Sequence, residues 1–143
     1  MAFQPIPLSI FIETLEPHGF KRFVVGSEVV YDREINSELR LRIYTSVKDG
    51  ELSCRPRGDD AIRAILLYRD RYGQDYGVKR GDRVNRTGTP EQVIQRLRER
   101  CVILWKLGRA IQKQGVHAEC GHLTYPDRTR CVVYKCRNKS RML

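Results

Sequence analysis

The stretch Leu39-Arg40-Leu41-Arg42-Ile43-Tyr44-Thr45-Ser46-Val47 decides the fold class, because its side chains change character at nearly every residue. Successive side chains of a β-strand point to opposite faces. Leu39, Leu41, Ile43, Thr45 and Val47 are therefore expected on one face, and Arg40, Arg42, Tyr44 and Ser46 on an outward one. On the N-terminal side, Phe23-Val24-Val25 and Val29-Val30-Tyr31 flank Gly26-Ser27 and read as a hairpin, with Asn36-Ser37 ending its second strand. On the C-terminal side, Lys48-Asp49-Gly50 reads as a turn into Glu51-Leu52-Ser53-Cys54-Arg55.

Further along, Asp60 to Arg69 fits either a capped helix or a buried strand, since a short apolar run does not settle the period. The strand is favoured. It leads into the turn-rich Tyr72-Gly73-Gln74-Asp75-Tyr76-Gly77, and Val78 to Thr87 then reads as a returning, partly exposed strand. The firmest helix follows: Thr89 suits the N-cap, Pro90 the first helical position, and Gln92 completes a capping box. Val93, Ile94, Leu97, Cys101, Leu104, Trp105, Leu107, Ala110 and Ile111 recur at helical spacing until Gly115. A short helix over residues 8–16, capped by Ser9 and stopped by Pro17 and Gly19, is expected near the start. Together these elements predict an α+β fold, an antiparallel sheet of about five strands packed by a long C-terminal helix and followed by a small zinc ribbon. The expected organisation is an α+β domain over 1–114 and a ribbon-like basic tail over 115–143.

The ribbon is read from the cysteines. His117-Ala118-Glu119-Cys120 and Cys131-Val132-Val133-Tyr134-Lys135-Cys136 each offer two ligands a few residues apart, which is how paired knuckles close a tetrahedral Zn²⁺ site. Pro126-Asp127 supplies turn residues between them, so a hairpin would bring the pairs together. The predicted ligands are His117, Cys120, Cys131 and Cys136, with His122 as the alternative to His117. Four protein ligands leave no open coordination position, so this Zn²⁺ would be structural. Cys54 and Cys101 stand alone and read as structural thiols.

The run Cys120-Gly121, an arginine-rich turn, then Cys131…Tyr134-Lys135-Cys136-Arg137-Asn138 resembles the C-terminal zinc ribbons of bacterial type IA DNA topoisomerases. The likeness covers about residues 115–140, with histidine at the first ligand, no proline before Lys135 and a second pair one residue shorter. It implies single-stranded DNA binding and says nothing of strand cleavage. The strand and helix order of the remainder is similar, in topology alone, to annealing domains of recombination proteins.

Charge points the same way. The 143 residues carry 27 Lys+Arg against 17 Asp+Glu, a net +10 that attracts polyanions through its long-range field and counterion release. Arginine predominates, and it forks onto phosphate and stacks on bases. The expected partner is nucleic acid, single-stranded DNA or RNA, contacted through Arg40, Arg42, Tyr44, Arg55, Arg57, Arg80, Arg83, Arg86, Arg128, Arg130, Lys135 and Arg137. No nucleophile–base pair, carboxylate cluster or phosphate loop stands out, so the reading is non-catalytic. The alternative is an interaction or assembly subunit of a larger nucleoprotein complex. No run of about 18 apolar residues is present and no membrane partner is expected. Met1-Ala2-Phe3-Gln4-Pro5 lacks a secretory pattern, and the odd cysteine count suits a reducing cytoplasm.

Overall fold

Tight turns between alternating apolar runs build this chain into antiparallel β-structure. The computed structural model describes residues 6–7, 13, 15–26, 28–44, 47–48, 51–52, 63–78, 82–83, 89–133 and 136. Its strands are β1 (Ile6–Pro7), β2 (Lys21–Val25), β3 (Glu28–Glu34), β4 (Leu39–Tyr44), β5 (Val47–Lys48), β6 (Glu51–Leu52), β7 (Arg63–Arg69), β8 (Asp75–Gly77) and β9 (Asp82–Arg83). One long helix, α1, spans Pro90–Gln114. The main sheet runs β2-β3-β4-β7-β8, with β9 also paired to β7, and β1-β6-β5 form a small second sheet. The expected α+β class holds.

Local chemistry explains each connection. The hairpin expected here forms, pairing Val25 with Glu28 through to Lys21 with Asp32. Between β3 and β4 the Asn36 carboxamide oxygen accepts from the backbone N–H of Glu38 and of Leu39, an Asx-type turn that starts the next strand at once. Asp70 does the same after β7, accepting from Tyr72 and Gln74 N–H. That side-chain turn lets the chain reverse within residues 70–74, so the return begins at Asp75 rather than at the predicted Val78. β4 ends at Tyr44, and Val47 belongs to the small sheet. The ambiguous segment before Arg69 is the strand β7. Of the short helix expected over 8–16, most lies outside the described residues; Glu13 and Leu15 are helical, and Glu16–His18 form a 3-10 turn closed by Gly19.

The capping box of α1 is made reciprocally: Gln92 N–H donates to Thr89 Oγ1 at 3.2 Å, and Thr89 N–H to Gln92 Oε1 at 2.9 Å. Val93, Ile94, Leu97, Leu104 and Ile111 are buried along one stripe, whereas Trp105 is only half-buried. No helix among the described residues is long and apolar enough to cross a membrane.

The chain divides into two compact units, one of Met1–Arg33, Arg42–Ala64 and Asp82–Val102, the other of Glu34–Leu41, Ile65–Gly81 and Ile103–Leu143. In the first, Phe20, Val30, Tyr31, Ile43, Val93 and Leu97 are buried. In the second, Gly108 of α1 lies against Ile35 and Leu66, close enough that a side chain there would collide with Ile35. Gly115 is tighter still. A Cβ on it would sit 2.6 Å from the backbone oxygen of Thr124 and 2.7 Å from that of Ile111, neither of which can move aside cheaply.

The alternation of β4 sorts its residues differently from the expected core and solvent faces. Arg40 and Arg42 are 7% and 8% exposed, buried like Leu39 and Leu41 beside them. Arg42 makes a two-pronged contact with Asp32 on β3, Nε to Oδ1 at 2.8 Å and Nη2 to Oδ2 at 2.9 Å, while its guanidinium lies 5.8 Å from the half-buried Tyr44 ring. Arg40 pairs with Asp75, which Arg69 also contacts at 3.3 Å. The outward cationic face predicted for Arg40, Arg42 and Tyr44 is therefore corrected, because these guanidiniums meet carboxylates inside the sheet rather than solvent.

Asp32→Ala leaves Arg42 buried without this carboxylate and is expected to cost about 3–5 kcal/mol in urea unfolding, most of it recovered by adding Arg42→Met. Burial opposes ionisation of Asp75, but Arg40 and Arg69 outweigh it and hold the carboxyl below its ordinary value. Its contribution to stability is complete above the ordinary carboxylate range and is lost as pH falls through the lowered value. Arg40→Leu should shrink that acid dependence of the urea midpoint.

Candidate metal centre

After α1 the chain folds back on itself twice. Thr124 N–H donates to Val116 O and Ala118 N–H to His122 O, and a bridge pairs His117 with Leu123. The second reversal pairs Thr124 with Cys131, through a turn closed by Arg128 N–H to Tyr125 O with Pro126-Asp127 at its centre, as the sequence predicts. Gly121, at φ 88°, makes the left-handed step that brings Cys120 and His122 to one side.

Cys120, His122, Cys131 and Cys136 converge there, their ligand atoms all within 4.8 Å of one another. This Cys₃His set could hold a metal ion. His122 Nδ1 stands 3.5 Å from Cys136 Sγ. Its imidazole is flanked by two rings from the sheet, Tyr68 of β7 edge-on at 6.0 Å and Tyr76 of β8 at 5.6 Å between centroids. Such packing fixes the ring of a ligand before any ion arrives. Burial, followed by the contact with Cys136, pushes the Cys131 thiol up to about 12. Without a cation the buried Cys131 sulfur stays protonated, and a metal ion is the charge that would let it ionise.

Three of the four predicted ligands are in the cluster, and the histidine is the other one. His117 lies outside it, its Nε2 2.9 Å from Glu38 Oε2. The register gives the reason. Leu123 and Thr124 are adjacent and face opposite ways, so His117, paired with Leu123, is on the opposite face from Cys131, paired with Thr124. His122, two residues before Thr124, shares the face of Cys131. The two-residue period was the signal available, and knuckle spacing masked it.

Arg128 and Arg130 are exposed on the second turn. Arg128 Nε donates to Gln114 O, and the Arg130 guanidinium lies 4.9 Å from the Tyr125 ring. Arg55, Arg57, Arg80, Arg86, Lys135 and Arg137 lie outside the described residues, as does the side chain of Arg83. Sequence reasoning passed over Arg71 and Tyr72, in the turn between β7 and β8. Tyr72 is 80% exposed, with the Arg71 guanidinium 5.0 Å from its ring centre. That guanidinium also borders Gly121, 4.0 Å from where its Cβ would be, beside Cys120 and His122. An aromatic residue in a polar reversal between two strands was the available clue. A cavity of about 560 Å³ opens in the same unit, lined by Glu38, Tyr68, Arg71 and His117 among others.

Comparison of the chain with protein-family models, with curated proteins and with solved structures finds no match.

His122→Ala should weaken Co²⁺ binding and change the visible ligand-field spectrum of the Co²⁺-loaded protein, whereas His117→Ala should alter neither. Gly115→Ala should lower thermal stability, on the order of 1–3 kcal/mol from overpacking, measurable by calorimetry.

Proposed function

We propose that this chain is a non-catalytic, single-stranded nucleic-acid-binding protein whose structural Zn²⁺, held by Cys120, His122, Cys131 and Cys136, fixes a basic and aromatic binding surface. The observation that carries the reading is the exposed Arg71–Tyr72 pair bordering Gly121 in the metal knuckle. Three soft thiolates and one imidazole in a compact set suit Zn²⁺ and leave no position for substrate, which supports a structural ion. An open aromatic ring offers a base a stacking face, and guanidiniums nearby take the phosphates. Tyr72 and Arg71 supply these, with Arg128 and Arg130 on the neighbouring reversal and a net charge of +10 behind them. Arg40 and Arg42 have no part in this surface, being committed to Asp75 and Asp32.

Fluorescence anisotropy with labelled single strands, duplex DNA and RNA at two salt concentrations tests the reading. Tyr72→Ala should weaken single-strand binding by about 1–3 kcal/mol with little change in salt dependence. Arg130→Ala should reduce the log–log salt slope by roughly 0.7. An absence of salt-dependent binding to every oligonucleotide would overturn the proposal and favour an assembly subunit of a nucleoprotein complex.

A further inference from the structure

The first unit carries an apolar strand at the margin of its sheet. Among the described residues β2 pairs only with β3, and it is the terminal strand in the sheet order. All five of its residues are exposed. Phe23, Val24 and Val25 are 48%, 60% and 47% exposed, so apolar side chains stand on both faces of one strand. No proline or bulge interrupts it, and an edge of this kind is a template for another strand.

The register of the hairpin specifies which strand fits. A two-residue loop makes its closing pair, Val25 with Glu28, a hydrogen-bonded one, and hydrogen-bonded and non-hydrogen-bonded pairs alternate from there. Phe23 and Lys21 thus spend their backbone groups on β3. Val24 and Arg22 direct theirs to the open edge. These two outward residues lie symmetrically about Phe23, which is the requirement for a strand to pair antiparallel with itself.

We propose that β2 is a dimerisation edge that pairs antiparallel with β2 of a second copy of this chain, with Phe23 on the two-fold axis. In that register Arg22 exchanges both backbone hydrogen bonds with Val24 of the other copy, and the symmetric pair does the same. Lys21 and Arg22 face Val25 and Val24, so no cation opposes a cation. Phe23 meets its own counterpart at the closer, non-hydrogen-bonded spacing, where aromatic pairs stabilise a sheet most. Sliding one way sets Arg22 against Arg22, a like-charge clash. Sliding the other way sets Arg22 against Gly26, which at φ 63° has left the strand conformation. Charge and hydrogen bonding select the same register, and they select a copy of this chain as the partner.

Sedimentation equilibrium of the full-length protein tests the proposal, with the mass expected to rise with concentration from one 16.7 kDa chain toward twice that value. Val24→Pro removes an N–H that points away from β3, so the hairpin survives while the dimer dissociation constant should rise by at least about tenfold. Phe23→Cys places two thiols across the axis about 4.5 Å apart at Cα, a spacing a disulfide accepts. With oxidised glutathione it should form a covalent dimer, whereas Val25→Cys and the unsubstituted chain should not. A mass of one chain at every concentration would overturn the proposal. So would undiminished association of Val24→Pro, or cross-linking of Val25→Cys as readily as Phe23→Cys.

Discussion

Burying a guanidinium inside a β-sheet is tolerable only where a carboxylate meets it, and this requirement sets the arrangement of the strands around β4. Arg42 reaches Asp32 on β3 with two parallel hydrogen bonds, and Arg40 reaches Asp75 on β8. A strand slipped by one residue would turn every side chain to the opposite face and part these ions from their partners. Apolar burial alone would reject such a slip less sharply, since both sets of β4 side chains are enclosed. The ion pairs contribute little net stability beyond what apolar residues could supply, but they discriminate among registers.

Much of this architecture was legible because it rests on local chemistry. Thr89 and Gln92 cap α1 as their spacing predicts, β2 and β3 pair as the first hairpin, and Pro126-Asp127 turns the last. The metal-ligand set was legible to within one residue. What escaped reading depends on partners distant in sequence. The alternation of β4 reveals two faces but not that Asp32 and Asp75 wait on one of them. His117 and His122 differ only in register with Cys131, which becomes visible once the Thr124 bridge is known. An aromatic residue in a polar reversal hints at Tyr72, but the exposure of its ring follows from the tight turn Asp70 closes around it.

The metal cluster and the sheet share a boundary made of aromatic rings. Tyr68 and Tyr76 stack on each other at 6.5 Å and both contact His122, so the ribbon is seated on β7 and β8 through the same side chain that completes the ligand set. Tyr125 adds a second tie, its hydroxyl donating to the backbone oxygen of Val78. Gly115 supplies a third by letting the end of α1 touch the Thr124 backbone.

All four residues of the cluster fall between Cys120 and Cys136, and that closeness along the chain bears on the order in which the molecule acquires structure. Closing a short loop loses little chain entropy, whereas β4 must find β7 across the whole segment between them. The bridges of the ribbon, His117 with Leu123 and Thr124 with Cys131, span few residues, whereas the tyrosine rings that flank His122 come from β7 and β8, far along the chain. Such local closure is the fast kind, and the slower search belongs to the strands.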